Sequence, residues 1–421
     1  MRRWKMDSIH IFGGERLCGQ TNIQGSKNAA LPILAATLLV PGISVIENCP
    51  DIADVASMIK LLQSVGCLVM REEHTVIVDA SCIKENRLPA EHVTKMRSSI
   101  MLMGAMLGRT KEIVIDYPGG CVIGERPIDM HLEALAHMGI LFEKEEHKLR
   151  AHADRIKGTV LSLPFASVGA TENVILAAVL AEGDTILYNA AKEPEIIALC
   201  EFLKSAGAKI MGIGTDTLHI IGVCRLHEGY CVVPSDRIVA GTYMFACAGC
   251  GGNIELDNVR TDQLHAVYDC LTQVGAVIEY SDNTIFMKMQ ERPKPVPYVR
   301  TAVYPGFPTD LQSPFMTVLA VADGTSVIEE AIFENRFRIV KELVAMGADI
   351  QAKGQYAYIC GKVCLYGRHV VAEELRGGAA LVLAGLIAQG VTVVGNRKFI
   401  DRGYEDICQD LKNLGARISV R

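Results

Sequence analysis

An amphipathic helical pattern that stops at a glycine and passes into a strand-like run occurs six times along the chain. The copies are LLQSVGCLVM, LAHMGILFEK, LKSAGAKIMG, LTQVGAVIEY, LVAMGADIQA and LKNLGARISV. Their glycines, Gly66, Gly139, Gly207, Gly275, Gly347 and Gly415, lie 73, 68, 68, 72 and 68 residues apart, each where a helix C-cap needs positive φ. A second glycine precedes each by 23 to 31 residues, at Gly42, Gly108, Gly183, Gly252, Gly324 and Gly390. Most of these close an Ala-rich or Leu-rich helix ahead of a strand such as ISVIEN, DTILYN or TSVIEE. After the second helix the pattern runs on as a hairpin, as in CLVMREEHTVIVDA, so the unit is βαβαββ with about 70 residues.

The Ala-rich helices are apolar nearly all round, which places them inside, with the amphipathic helices and the sheets around them. The sixth copy ends at Arg421, six residues past Gly415, without the return strand of the others. The N-terminal run DSIHIFGGERLCGQTNIQG has strand character and no helix of its own, and is expected to complete that last unit. One lobe then consists of residues 1–26 and 235–421 and the inserted lobe of residues 27–234, with two crossings near Gly25 and Ser235 that would act as a hinge. The long apolar stretches 29–46 and 377–395 are interrupted by Pro32, Pro41 and Gly42, and by Gly385, Gln389 and Gly390, and read as buried helix followed by strand rather than as membrane spans. Gly212 and Gly214 precede a strand, so they mark a hairpin turn and not a dinucleotide fingerprint.

Half the residues are hydrophobic and 21% are charged, a balance that builds large cores and more than one domain. The net charge of -6 argues against a general nucleic-acid or membrane-surface binder, so the expected partners are small molecules, with anions held by local arginine clusters. Asp7, His10 and Glu15 follow the basic MRRWKM where an export signal needs its apolar run. Fourteen cysteines in such a chain read as reduced thiols of a cytoplasmic protein. The lone C-x-x-C, Cys247 to Cys250, lies in an apolar run with no second pair, and neither a metal nor a cofactor is expected. Cys121 differs from the rest. In PGGCVIGERPIDMH it follows two glycines and precedes Arg126, a setting that exposes the thiol and favours its thiolate.

Nine longer motifs carry a family likeness: GSKNAALPIL (25–34), GGCVIGERPIDMH (119–131), SVGATEN (167–173), AAKEPEI (190–196), PSDRIVAGTY (234–243), FPTDLQ (307–312), IFENRF (332–337), ELRGGAALVLAG (374–385) and IDRGYE (400–405). Through them essentially the whole chain resembles the enolpyruvyl transferases. The resemblance implies an α/β fold, a two-domain inside-out α/β barrel built from six βαβαββ repeats. It also implies transfer of the enolpyruvyl group of phosphoenolpyruvate to the 3'-hydroxyl of UDP-N-acetylglucosamine with release of phosphate, the first committed step of peptidoglycan precursor synthesis. The shikimate-pathway branch is less similar: its S-x-S-N-R-like start and GNAGTAMR-type loop are here GSKNAALP and MRSSIMLMGAM. A non-catalytic sugar-nucleotide-binding paralogue would tolerate loss of Cys121, Asp310 or an arginine, yet all are present.

Carried over motif by motif, Lys27, Arg126 and Arg402 look like phosphate ligands and Arg336 and Arg376 like a carboxylate clamp, with Arg97 a looser member. Guanidinium forks suit both anions. Asp310 resembles the base for the 3'-hydroxyl, and Cys121 the acid or covalent participant at C3. Asn28, Arg126, Asp129, Ser167, Val168, Gly169, Asp310 and Ile332 look like sugar-nucleotide contacts, with helices beginning after GSKN and SVGA to present N–H groups to anions. Four positions depart from the family pattern: Phe165 replaces a lysine, Glu125 replaces a small residue, and Gly377 with Gly378 would loosen the start of the Arg376 helix. Asp310→Asn is expected to leave the melting temperature nearly unchanged.

Overall fold

Each of the six repeats builds its own small sheet. The structure, a computed structural model, describes residues 8–117 and 128–421; Cys121, Glu125 and Arg126 lie outside the described residues. Among the described residues, one unit comprises 8–24 and Ser235–Arg421, and the other comprises 25–117 and 128–234. Each unit has its own hydrophobic core.

Six inner helices form those cores: α1 (Lys27–Ala36), α2 (Met101–Thr110), α3 (Val168–Ala178), α4 (Arg237–Cys250), α5 (Gln312–Leu319) and α6 (Leu375–Ile387). They are buried along nearly their whole length, as their uniform apolarity requires. In one unit α2 packs against α1 and α3; in the other α4, α5 and α6 pack against one another. The apolar stretches that approached membrane-spanning length are α1 with the strand Ile43–Glu47 and α6 with the strand Val391–Gly395. No helix among the described residues is long and apolar enough to cross a membrane.

The fourth repeat shows the construction. Strand Leu17–Asn22 runs parallel to Gly252–Asp257 on the far side of α4. That strand pairs antiparallel with Thr284–Met289, which pairs in turn with Val277–Tyr280 after the outer helix His265–Gln273. In the second repeat the leading strand shrinks to a single parallel bridge, Arg87 with Val114. The N-terminal run serves two repeats, not one. Ser8–Phe12 lies antiparallel between Val391–Gly395 and Arg417–Val420 as the missing return strand of the sixth repeat, whereas Leu17–Asn22 opens the fourth. The other unit closes in the same way, because Gly229–Val232 runs parallel to Ile43–Glu47 of the first repeat.

The six periodic glycines all adopt left-handed φ, between 90° and 110°, which relieves the Cβ clash that any other residue would meet there. The second set is less uniform. Gly183, Gly252, Gly324 and Gly390 have positive φ, whereas Gly108 lies inside α2 and the left-handed cap of that helix is Lys111 at φ 66°. Gly108 is there for close packing: a Cβ would come 2.8 Å from Leu39 Cδ2 and 2.9 Å from the Leu176 carbonyl. Gly104 is tighter still. Its N–H donates to Asn173 Oδ1 at 2.7 Å, and a Cβ would lie 2.5 Å from the Asn173 carbonyl oxygen. Gly104→Ala must therefore push α2 and α3 apart, and is expected to cost about 1–3 kcal/mol, read as a lower urea midpoint at unchanged m.

Candidate active site

In the unit that contains the C-terminus, the starts of α5 and α6 meet at a carboxylate held between two buried arginines. Asp310 lies in the 3-10 turn Thr309–Leu311 that leads into α5. Its Oδ1 is 2.5 Å from Arg336 Nη2, and its Oδ2 is 2.9 Å from Arg376 Nη2 and 3.0 Å from Arg376 Nε. Arg336 and Arg376 are 4% and 2% exposed, while the Asp310 side chain retains 27%. Asp310 is thus an ion-pair partner and not a helix cap. Burial works against the Arg376 charge, but Asp310, then Tyr404 and Asp236, hold its pKa above the ordinary value. Even so, among the described residues neither Nη1 nor Nη2 of Arg376 has an aligned hydrogen-bond acceptor. Unmatched donors on a buried guanidinium are costly, and a planar anion is the kind of ligand that would satisfy them.

The helix that carries Arg376 starts firmly. Glu374 caps α6, accepting from Arg376 N–H at 2.8 Å and from Gly377 N–H. A Cβ on Gly377 would meet Glu374 Oε1 at 2.6 Å, and one on Gly378 would meet Ile400 Cγ1 at 2.8 Å. The paired glycines therefore admit the capping carboxylate and the neighbouring turn instead of loosening the helix.

A residue without a role in the sequence reading ties this region together. Glu330, 1% exposed, accepts from Thr309 Oγ1 through Oε2 at 2.9 Å and, through Oε1, from Thr301 Oγ1 and from the N–H groups of Ile332 and Phe333. One buried carboxylate thereby fixes both the turn before Asp310 and the backbone of Ile332. Its signal in the sequence is weak, since EEAIF reads as the polar end of a strand. Arg402 closes the 3-10 turn Arg397–Arg402 and is half-buried.

The other unit holds the remaining described positions. α1 begins at Lys27, within GSKN rather than after it, with Ser26 as its N-cap accepting from Ala29 N–H. Lys27 Nζ is 3.2 Å from Asp54 Oδ2, and Asn28 follows in the same first turn. Arg97 opens the 3-10 turn Arg97–Ile100 that leads into α2. Ser167 caps α3, so Val168 and Gly169 form its first turn. Asp129 is the exposed first residue of the helix Asp129–His137, two residues before buried His131. A Cβ on Gly169 would sit 3.0 Å from that imidazole. Asn173 Nδ2, oriented by the Gly104 contact at its oxygen, donates to His131 Nδ1 at 2.9 Å. Phe165 is exposed.

Comparison with known proteins gives the chain its relatives. The family model for EPSP synthase (3-phosphoshikimate 1-carboxyvinyltransferase) matches residues 11–411. The chain is 46% identical over 414 residues to UDP-N-acetylglucosamine 1-carboxyvinyltransferase 2 of Caldanaerobacter subterraneus subsp. tengcongensis, covering 98% of this chain and 99% of that one. It is 43% identical over 413 residues to UDP-N-acetylglucosamine 1-carboxyvinyltransferase of Geobacter metallireducens, with the same coverage. Among solved structures, the enolpyruvyl transferase NikO from Streptomyces tendae superposes with a TM-score of 0.89 at 24% identity, covering 99% of both chains. EPSP synthase from Acinetobacter baumannii superposes with a TM-score of 0.74 at 18% identity, covering 99% of this chain and 100% of that one.

Proposed function

This chain belongs to the EPSP synthase family of enolpyruvyl transferases, and from that membership we propose that it transfers the enolpyruvyl group of phosphoenolpyruvate to the 3'-hydroxyl of UDP-N-acetylglucosamine and releases phosphate, in peptidoglycan precursor synthesis. The observation that carries the reading is Asp310 bound between Arg336 and Arg376, with unmatched donors left on Arg376, in a chain 43–46% identical to relatives of that name. The carboxylate of phosphoenolpyruvate takes the place of Asp310 on the two guanidiniums, and Asp310 is then free to accept the proton of the attacking hydroxyl. Oxygen adds to C2, a proton goes to C3, and the tetrahedral intermediate loses phosphate together with a proton from C3. Lys27, Arg97, Arg126 and Arg402 neutralise the phosphate, and Cys121 serves C3 as acid or as covalent partner. Asn28, Arg126, Asp129, Ser167, Val168, Gly169, Asp310 and Ile332 hold the sugar nucleotide. That Ile332 and the turn of Asp310 share Glu330 supports their serving one ligand. The thirteen described cysteines form no disulfide with one another, which suits a reducing cytoplasm.

Phosphate release from phosphoenolpyruvate in the presence of UDP-N-acetylglucosamine, with shikimate 3-phosphate as the alternative acceptor, is the direct test. Release with shikimate 3-phosphate alone would sink the reading. Cys121 should also be the thiol alkylated by the small anionic epoxide fosfomycin, as peptide mass mapping after brief treatment would show. Burial pushes the thiols of Cys67, Cys200, Cys231, Cys247, Cys270 and Cys408 up to about 12, which leaves them little thiolate. An adduct at Cys247 in place of Cys121 counts against the assignment.

A further inference from the structure

Arg376 is held from behind by a hydrogen-bonded pair, Tyr404 and Thr242. Tyr404, 1% exposed, follows the turn that ends in Arg402, and its ring lies under Arg376, whose Cζ is 5.9 Å from the ring centroid. That is within the range of a cation–π contact. Thr242, on α4 and fully buried, places Oγ1 2.7 Å from the Ile238 carbonyl and 2.9 Å from the Tyr404 hydroxyl. A carbonyl only accepts, so the single Thr242 proton is committed to Ile238. The shared bond must then run the other way, with Tyr404 donating to Thr242. This fixes the phenol's rotation and leaves its oxygen lone pairs for acceptance. The ring also meets Tyr243 at 6.4 Å between centroids, and Tyr243 donates to Asp410 Oδ2 at 2.5 Å.

Resting on the functional reading above, we propose that Tyr404 and Thr242 are positioning residues for the phosphoenolpyruvate carboxylate: Thr242 orients Tyr404, and Tyr404 sets the plane of the Arg376 guanidinium. Neither touches substrate. Their contribution is geometric, because a two-pronged contact to a carboxylate fails when the fork is rotated.

The experiment is steady-state phosphate release by the full chain, with each substrate varied in turn, for wild type, Tyr404→Phe, Thr242→Val, Thr242→Ser and the Tyr404→Phe/Thr242→Val double variant. Phenylalanine keeps the ring and removes only the hydroxyl, while serine keeps the acceptor. Tyr404→Phe and Thr242→Val are expected to raise KM for phosphoenolpyruvate about tenfold, with KM for UDP-N-acetylglucosamine nearly unchanged. The melting temperature stays nearly unchanged in Tyr404→Phe and falls in Thr242→Val, which leaves the buried Tyr404 hydroxyl without its acceptor. Thr242→Ser should restore wild-type behaviour, and the double variant should be no worse than either single one, because the two residues act as one device. An unchanged KM for phosphoenolpyruvate in Tyr404→Phe overturns the inference. So does a parallel rise in both KM values with a lower melting temperature, which is what a purely structural role would give. A wild type that releases no phosphate with both substrates overturns the functional reading itself, and this inference with it.

Discussion

Asp310→Asn is expected to lower turnover by about 100-fold or more with both substrates saturating, the usual scale for a lost acid or base. It is also expected to lower the melting temperature of the ligand-free protein, contrary to the unchanged value that the sequence alone suggests. The second effect follows from the structure: the Asp310 carboxylate is the shared counter-ion of two arginines that are 2% and 4% exposed. Asparagine can still accept hydrogen bonds but brings no charge. Breaking a buried pair costs about 3–5 kcal/mol when the remaining charge has no other partner. Here the loss falls below that range, because the Asp310 side chain is 27% exposed and Glu374 Oε2 stays 3.9 Å from Arg336 Nη1. Phosphoenolpyruvate should then raise the melting temperature of the variant more than that of the wild type, since it no longer competes with a resident carboxylate for the same guanidiniums. Differential scanning fluorimetry with and without phosphoenolpyruvate measures this alongside kcat. A variant with normal turnover would make Asp310 a structural counter-ion of the two arginines and not the base. A variant that gains no more from the ligand than wild type would show that the substrate carboxylate does not bind where Asp310 now lies.

The fold was legible in the chain because its signals are periodic. Six glycines at nearly constant spacing report six helix ends, and each has the left-handed φ that its position demands. The lack of a return strand after Gly415 pointed to the N-terminus, where Ser8–Phe12 fills the gap. Less legible was the sharing of that segment between two repeats, since a strand carries no mark of the partner it will pair with. Gly108 misled for a similar reason: glycine chosen for close helix packing and glycine chosen for positive φ are spelled alike. At the site, Asp310, Arg336 and Arg376 stand in recognisable motifs, and the structure brings the three together. Glu330, Tyr404 and Thr242 carry no mark of their role in the sequence because they act through other residues. A buried glutamate that accepts four hydrogen bonds looks in sequence like any strand-end glutamate.

Glu172 gives the stability of the chain a dependence on pH. It lies in α3 with no exposed surface, and among the described residues neither of its carboxyl oxygens has a hydrogen-bond partner. Burial, followed by the neighbouring charges of Glu195 and Glu193, pushes its pKa well above the ordinary 4.5. The folded chain therefore keeps the Glu172 proton at pH values where the unfolded chain has released it. Because the native state binds the extra proton, stability falls as pH rises, by about 1.4 kcal/mol per pH unit for one proton. The fall begins near the ordinary value and continues until the folded-state pKa is reached. Glutamine has nearly the same shape and cannot ionise, so Glu172→Gln lacks this slope. Near pH 5 the two proteins should melt at similar temperatures, and by pH 8 the variant should melt several degrees higher. Urea unfolding of both proteins across that range reads the slope difference directly. If the two profiles run parallel, Glu172 is ionised in the folded chain and its charge is balanced by a cation, which would require a different arrangement of side chains around α3.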